Sequence, residues 1–247
     1  MSVHLVGGGR PGDGPDVYAP FVAEAARRAA GLGRPVPRVA VLVVTDGDVP
    51  SPAFREAFPA VLADGGRCEA VVTVVEAGSA FDTRVLSDVD GLVVGGGVTP
   101  SYQRALAPLV DQVRLLVADG LPYLGYSAGA ALAADEALLG GWLVGDVPVC
   151  PEAASEGLDD VTLAEGFGLV DLAVDVHAVQ WGTLARLVAA TEAGLVTGGV
   201  AVDEHTVLVV GEGALSVLGT GNVWRVEAQH DDDGEVVGVV VGTVAGG

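Results

Sequence analysis

The stretch LPYLGYSAGAALAADEALLGG, residues Leu121–Gly141, joins an apolar run to an alanine-rich run through Gly125, Ser127 and Gly129. The pattern G-x-S-x-G is typical of a sharp turn from a strand into a helix that presents a serine as a nucleophile. The alanine-rich run AGAALAADEALL, which follows the serine, favours a helix. Small residues at such a turn also let a strand and a helix pack closely. The stretch therefore predicts a strand–turn–helix unit in which Ser127 is either a packing residue or a nucleophile.

Apolar runs elsewhere in the chain alternate with helix-like segments. The predicted strands are Val3–Val6, Arg38–Thr45, Glu69–Val75, Gly91–Val94 and Pro122–Gly125. The predicted helices between them are Asp16–Gly33, Pro52–Ala63, Ser79–Ser87 and Ser101–Asp119. Continuous apolar strands that alternate with helices indicate a parallel sheet covered on both faces. We therefore expect a three-layer α/β fold built on a mostly parallel sheet.

The last third of the chain has a different pattern. Strand-like runs there are separated by the turn-forming GEG, GTGN and DDDG, which is typical of hairpins. These runs are Thr206–Val210, Ala214–Leu218, Val223–Val226 and Val236–Val240. We predict a C-terminal antiparallel hairpin extension of the α/β fold. Because no repeat or linker divides the sequence, residues 1–247 are expected to form a single domain.

The composition limits the kinds of partner. Of the 247 residues, 50% are hydrophobic, and 33 acidic side chains oppose 12 basic ones for a net charge of −21. A surface this acidic repels nucleic acids and anionic membranes, so we expect neither as a partner. No apolar run approaches the roughly 18 residues that indicate a membrane-spanning helix.

The start of the chain and its two cysteines bear on location. Met1 is followed by a short strand-like run and not by the charged and apolar segments of a secretion signal. We therefore expect a cytoplasmic protein in which Cys68 and Cys150 stay reduced. The sequence has no H-E-x-x-H motif and no His/Cys cluster, so neither a metal nor a cofactor is expected.

A glycine-rich loop, VGGGRPGDG, follows the first predicted strand at Val6–Gly14. Its spacing fits the dinucleotide-binding pattern G-x-G-x-x-G at Gly7, Gly9 and Gly12. However, Pro11 interrupts the turn, and no acidic residue ends a second strand about 20 residues later, as the pattern requires. We interpret this segment as a flexible loop and not as a nucleotide site.

A catalytic serine needs a base, which is most often a histidine. The chain offers His4, His177, His205 and His230. His4 lies within the first predicted strand and His230 lies in the acidic turn QHDDDG, so both are expected to be structural or surface residues. His177 lies near the end of the apolar run LAVDVHAVQWG, where it can meet the end of another strand. His177 is therefore the predicted base.

The base in turn needs an orienting carboxylate. Asp203 and Glu204 lie together in VAVDEHTVLVV, and the residues alone leave open which of them faces His177. The order serine, histidine, acid differs from the order serine, acid, histidine of α/β-hydrolases, which disfavours an esterase on that scaffold. Oxyanion donors are available from the amide of Ala128 and from the glycine turn VGGGVT at Val94–Thr99.

Four blocks in this order resemble a known family: DGLVVGGGVT, LGYSAGAAL, GFGLVDLAVDVHAVQWGTLARL and GGVAVDEHTVLVV. They resemble the serine peptidases that include cyanophycinase and the aspartyl dipeptidase, dipeptidase E, and are closer to the cyanophycinase branch. The resemblance covers about residues 90 to 210 and implies the class I glutamine amidotransferase-like fold. It also implies Ser127 as nucleophile, His177 as base, Glu204 as orienting acid, and Gly97 and Ala128 as the oxyanion amides. Asp175 and Asp203 stay open as alternative acids.

The chain departs from the family pattern next to these residues. Val98 stands where the family commonly has Asn, Val176 where the cyanophycinase pattern has Gln, and Trp181 and Thr183 where it has arginines. The resemblance implies that the substrate-binding positions of this chain are Asp175, Gln180, Trp181, Thr183 and Arg186. We therefore expect the reaction type to be shared with the family more closely than the substrate.

The predicted function is that of a serine-type peptidase. It would hydrolyse a peptide or isopeptide bond, or a small amide, through an acyl-enzyme intermediate and with an altered substrate pocket. The alternative is a non-catalytic or regulatory member of the same fold that binds a small molecule. Because relatives in this fold include monomers and dimers, a homodimer is left open.

Overall fold

A computed structural model describes residues 2–14, 16–47, 50, 52–211, 213 and 215–244, and the side chains of all of these but 52–54. In chain order its strands are β1 (Val3–Val6), β2 (Arg38–Thr45), β3 (Glu69–Glu76), β4 (Gly91–Val94), β5 (Tyr123–Tyr126), β6 (Glu136–Gly140), β7 (Leu143–Val144), β8 (Val147–Pro148), β9 (Thr162–Glu165), β10 (Ala173–Val176), β11 (Gly198–Val202), β12 (Thr206–Val210), β13 (Ser216–Gly219), β14 (Val223–His230) and β15 (Val236–Thr243). The α-helices are α1 (Ala19–Gly31), α2 (Pro52–Gly65), α3 (Thr99–Leu106), α4 (Val110–Ala118), α5 (Ala128–Ala131) and α6 (Leu184–Glu192).

The centre of the fold is a seven-stranded sheet in the order β13-β12-β1-β5-β4-β2-β3. The five strands from β1 to β3 in this order are parallel. At one side, β12 pairs antiparallel with β1, and β13 pairs antiparallel with β12. The prediction of a mostly parallel sheet is confirmed.

The central strands β1, β2, β4 and β5 of this sheet are buried on both faces. Successive side chains of a strand point to opposite sides of the sheet, so each face has its own packing partners. On β2, Val41 packs in a cluster with Phe21 of α1 and Phe58 of α2. The next residue, Leu42, packs in a second cluster with Tyr102 of α3. The predicted arrangement of helices on both faces of the sheet is therefore confirmed.

A second, four-stranded sheet follows in the order β10-β11-β14-β15. Strands β10 and β11 are parallel, whereas β14 and β15 pair antiparallel. Leu187 of α6 packs on this sheet against Ala201 and Val226. The predicted C-terminal antiparallel extension is present, but it is divided between the two sheets. The second predicted run of this extension, Ala214–Leu218, corresponds to strand β13, which spans Ser216–Gly219. Residue 214 lies outside the described residues.

Two predicted helices are wrong in extent. The segment Ser79–Ser87 forms only a short 3-10 helix at Thr83–Leu86, which Asp82 caps by accepting a hydrogen bond from the amide of Arg84. The segment Ser101–Asp119 contains two helices, α3 and α4, with a 3-10 turn at Ala107–Leu109 between them. The break falls at Pro108, which has no N–H to continue a helix.

The alanine-rich run after Ser127 is the largest departure from the prediction. Only its first four residues form a helix, α5, and its end forms strand β6, which pairs with β9. Between them, the carbonyl of Leu132 accepts a hydrogen bond from the amide of Phe167 at 2.7 Å, and that of Ala134 accepts one from Gly168 at 3.0 Å. Long-range pairing thus overrides the high helix propensity of alanine and leucine.

Among the residues that the structure describes, no helix is long and apolar enough to cross a membrane. Cys68 and Cys150 are both free.

Candidate active site

The turn from β5 into α5 brings Ser127 to the surface of a cleft. Ser127 has φ +52° and ψ −111°, a conformation that few residues other than glycine adopt. A Cβ atom added to Gly125 would lie 2.4 Å from the carbonyl oxygen of Gly129. One added to Gly129 would lie 2.3 Å from the carbonyl oxygen of Val94. The two glycines are therefore required for close packing, and that packing holds Ser127 in its turn at the cleft.

His177 directly follows β10, in the second sheet, and also has a positive φ of +57°. Its Nε2 lies 2.8 Å from the Ser127 hydroxyl oxygen. Its backbone N–H donates to the carbonyl oxygen of Gly7 at 2.9 Å. A Cβ atom on Gly8 would lie 2.1 Å from the His177 Cε1. The glycine-rich loop therefore closes around the imidazole, a role that the sequence did not reveal.

Glu204 lies two residues beyond β11 and completes a line of hydrogen bonds. Its Oε1 lies 2.7 Å from the Nδ1 of His177, and its backbone N–H donates to Oε1 of Gln180 at 3.0 Å. Because a carboxylate can only accept, Nδ1 carries the proton of a neutral His177 and Nε2 accepts from the Ser127 hydroxyl. This tautomer is the one that can take a proton from the serine.

Burial lowers the pKa of His177, because a charged imidazolium is poorly solvated there. The hydrogen bond and the negative charge of Glu204 act in the opposite direction. With its pKa below the ordinary value of about 6.5, His177 is neutral at pH 7 and available as a proton acceptor.

The two other candidate acids have different partners. Asp203 accepts hydrogen bonds from the indole N–H of Trp224 at 3.1 Å and from the amide of Asn222 at 2.8 Å. Asp175 forms a buried bidentate pair with Arg186, at 2.7 and 2.9 Å. Of the three carboxylates, only Glu204 makes a hydrogen bond to His177.

The cleft beside the Ser127 hydroxyl has a volume of about 660 Å³. Its walls come from loops of both sheets. They comprise Gly9, Arg10, Asp46, Pro50, Gly96, Gly97, Val98, Tyr126, Ser127, Ala153, Ser155, Glu156, Gly157, His177, Trp181 and Glu204. Sequence reasoning missed three charged members of this wall, Arg10, Asp46 and Glu156. Arg10 could have been predicted, because it lies in the glycine-rich loop Val6–Gly14.

The five predicted substrate-binding residues do not lie together. Trp181 lines the cleft, but the structure does not bring the other four to its walls. Asp175 and Arg186 are only 1% and 4% exposed, and Arg186 also donates to the carbonyl oxygens of Gly141 and Ala154.

The other two positions have structural contacts. Thr183 is 1% exposed, and its hydroxyl donates to the carbonyl oxygen of Val176 at 2.6 Å. The side-chain oxygen of Gln180 accepts a hydrogen bond from the backbone N–H of Glu204. Asp175, Thr183 and Arg186 are thus buried and do not line the cleft, and their role in substrate binding stays a prediction. These side chains hold the structure behind the cleft.

The candidate oxyanion donors belong to two different turns. The amide of Ala128 directly follows Ser127, and Gly97 lines the same cleft. Gly96 is packed against the serine, since an added Cβ there would lie 2.8 Å from the Ser127 Cβ. Because α5 is a single turn, its helix dipole contributes little to the stabilisation of a negative charge beside Ser127.

Glu156 contributes a further carboxyl group to the cleft, besides those of Asp46 and Glu204. It accepts a hydrogen bond from the amide of Thr99, at the start of α3, at 3.2 Å. Burial raises the pKa of Glu156 to about 6. Within the described part of the chain, no cluster of three or more His, Cys, Asp or Glu side chains could hold a metal ion.

Comparisons with known proteins agree with this fold. Over 90% of its length the chain superposes on a solved structure from Listeria monocytogenes EGD-e named "Putative Peptidase E Protein". The match covers 99% of that chain, with a TM-score of 0.54 and 14% identity. The chain therefore has the α/β fold of this peptidase E-like structure. No protein-family model matches the chain.

In sequence, the chain is 35% identical over 147 residues to cyanophycinases of Synechococcus elongatus and Thermosynechococcus vestitus. These matches cover 58% of this chain and 43% of each relative, so the chain spans less than half the length of the curated relatives. Together with the fold, they support the resemblance to the serine peptidase family of cyanophycinase and dipeptidase E.

Proposed function

We propose that the chain is a serine-type peptidase that hydrolyses a peptide or isopeptide bond through Ser127, His177 and Glu204. The observation that carries this proposal is the unbroken line of hydrogen bonds from the Ser127 hydroxyl through His177 to Glu204, at the wall of a cleft. The sequence similarity to cyanophycinases and the peptidase E-like fold support a hydrolase of this type.

In this mechanism, the Ser127 oxygen attacks the carbonyl carbon of the scissile amide while its proton moves to Nε2 of His177. The electron pair of the carbonyl bond moves to the carbonyl oxygen, where the amides of Gly97 and Ala128 would stabilise the negative charge. His177 then gives the proton to the leaving amine as the carbon–nitrogen bond breaks. A water molecule, deprotonated by the same histidine, releases the acyl group. Glu204 keeps the proton on Nδ1 and stabilises the imidazolium.

The substrate we propose is a short peptide, isopeptide or small amide that differs from the substrate of the cyanophycinases. The cleft has the volume that ligand sites usually have. Val98 and Trp181 line it where the family pattern has Asn and Arg. Because an arginine binds carboxylates through paired hydrogen bonds, its replacement by an indole changes which substrate groups the cleft favours.

The proposal is tested with a library of dipeptides and isopeptides. Wild-type protein is expected to hydrolyse at least one member, and Ser127→Ala is expected to lose roughly 10³-fold or more of that rate. The matched control is Ser87→Ala, which changes an exposed serine outside the cleft and is expected to keep the wild-type rate.

Turnover that persists in Ser127→Ala would refute the assignment of the nucleophile. If folded wild-type protein binds library members but hydrolyses none, the chain is a non-catalytic binding member of the fold instead.

A further inference from the structure

The indole of Trp181 stacks on the imidazole of His177. Their ring centroids are 3.8 Å apart, and the ring planes are 6° from parallel. The backbone N–H of Trp181 donates to the carbonyl oxygen of His177 at 2.9 Å, which ties the two residues together locally. Because the backbone of Gly8 closes on the Cε1 edge of the same ring, the imidazole is confined on its face and on its edge.

The stacking acts differently on the two protonation states of His177. The face of an indole carries negative charge density, so it attracts a cation more strongly than a neutral ring. In the proposed function, His177 becomes an imidazolium as it takes the proton of Ser127. An interaction that strengthens at that step stabilises the transition state more than the ground state and therefore raises the rate.

We propose that Trp181 is a positioning residue that fixes the ring of His177 and stabilises its imidazolium form by stacking. This inference rests on the proposed function and deepens it. It also gives the indole at this position a role other than substrate contact. With 42% of its surface exposed, Trp181 still presents part of its surface to the cleft.

Other charged groups act on the same imidazole and must stay constant in any test. They are Glu204, which is hydrogen-bonded to Nδ1, and the more distant pair Asp175 and Arg186. Burial lowers the pKa of His177, so a variant that merely lets in water raises this pKa. Replacement of the indole by a smaller side chain would therefore mix two opposing effects.

The informative variants are two apolar side chains that are both smaller than the indole and differ from each other in the π face. Any entry of water raises the pKa of His177 in both, so the difference between them reports the π face. Trp181→Leu removes the aromatic face, whereas Trp181→Phe keeps one. We would measure the second-order rate constant of fluorophosphonate labelling between about pH 5 and pH 9, a range that brackets the ordinary imidazole pKa of about 6.5. The titration of His177, followed by NMR in isotope-labelled protein, gives its pKa without any turnover. Trp142→Leu, which removes an indole outside the cleft, is the matched control.

In Trp181→Leu, we expect the labelling rate at the plateau to fall by roughly 3- to 30-fold. We also expect the acid limb and the NMR midpoint to move to lower pH by roughly 0.5 to 1. A lower plateau rate together with a lower pKa of His177 is a combination that a loss of folding or of substrate contact does not produce. Trp181→Phe is expected to stay within about 3-fold of wild type, with its midpoint unchanged.

Equal midpoints in wild type, Trp181→Phe and Trp181→Leu would overturn the inference. A change in peptide KM alone, with no change in labelling, would make Trp181 a substrate surface and would also overturn it. Wild type that is not labelled at any pH would refute the proposed function. The NMR midpoints would still decide whether the indole stabilises the imidazolium.

Discussion

At the scale of single residues, Ser127 and His177 both have a positive φ, of +52° and +57°, which is uncommon for residues other than glycine. Such a conformation costs roughly 1–3 kcal/mol and persists only where the surrounding structure holds it. The amide of Ser127 donates to the carbonyl oxygen of Val6, and the amide of His177 donates to that of Gly7, both at 2.9 Å. Two consecutive residues at the end of β1 thus hold the backbone at both positions.

The carboxylate of Glu204 gives a prediction at this scale. Glu204→Gln keeps the shape of the side chain but removes the charge that stabilises the His177 imidazolium, and its amide can donate a hydrogen bond to Nδ1 and favour the wrong tautomer. The rate of amide hydrolysis or of fluorophosphonate labelling, measured at about pH 8 or above, should therefore fall by roughly 10²- to 10⁴-fold.

The matched control is Glu192→Gln, at the exposed end of α6, which should keep the wild-type rate. A Glu204→Gln variant that reacts as fast as Glu192→Gln would remove Glu204 from the mechanism.

At the scale of elements, the turn between β5 and α5 is set by backbone contacts as much as by Ser127. Gly129→Ala would bring a Cβ atom to 2.3 Å from the carbonyl oxygen of Val94, which cannot move aside as a flexible side chain can. We expect the free energy of unfolding to fall by roughly 1–3 kcal/mol or more, measured by urea denaturation.

Gly31→Ala is the control for this substitution, because Gly31 lies in α1 with no atom within 4 Å of the added Cβ. Alanine is the better helix former there, so stability should rise by roughly 0.5–1 kcal/mol. If both variants unfold at the same urea concentration, close packing does not shape the turn around Ser127.

The elements also show how far the sequence could be interpreted. The parallel strands were predictable, because each is a short and largely apolar run. All of them except the edge strand β3 are buried on both faces. Strand β6 was not predictable, because its residues continue an alanine- and leucine-rich run and become a strand only by pairing with β9. A one-dimensional pattern does not contain such a long-range partner.

At the scale of the whole molecule, the candidate site is assembled where the two sheets meet. Ser127 comes from β5 of the large sheet, whereas His177 and Glu204 follow β10 and β11 of the second sheet. The local sequence predicted Ser127 and His177 because both follow apolar runs, and the family resemblance singled out Glu204 over Asp203. The separation of these residues onto two sheets could not be predicted from either.

The walls of the cleft were the least predictable part. Asp46 follows β2, and Glu156 lies in the segment between β8 and β9, more than 100 residues away in the sequence. Conversely, the Asp175–Arg186 pair lies close to His177 in the sequence but is buried behind it. Proximity in the chain to a candidate catalytic residue therefore did not predict which side chains reach the cleft.

The central claim, that Ser127 is an activated nucleophile, is tested most directly by covalent labelling. Wild-type protein is treated with a fluorophosphonate, and the adduct is counted by intact mass and located by peptide mapping. The account predicts one adduct per chain, on Ser127, and none in folded Ser127→Ala. An adduct on another residue, or equal labelling of wild type and Ser127→Ala, would contradict it.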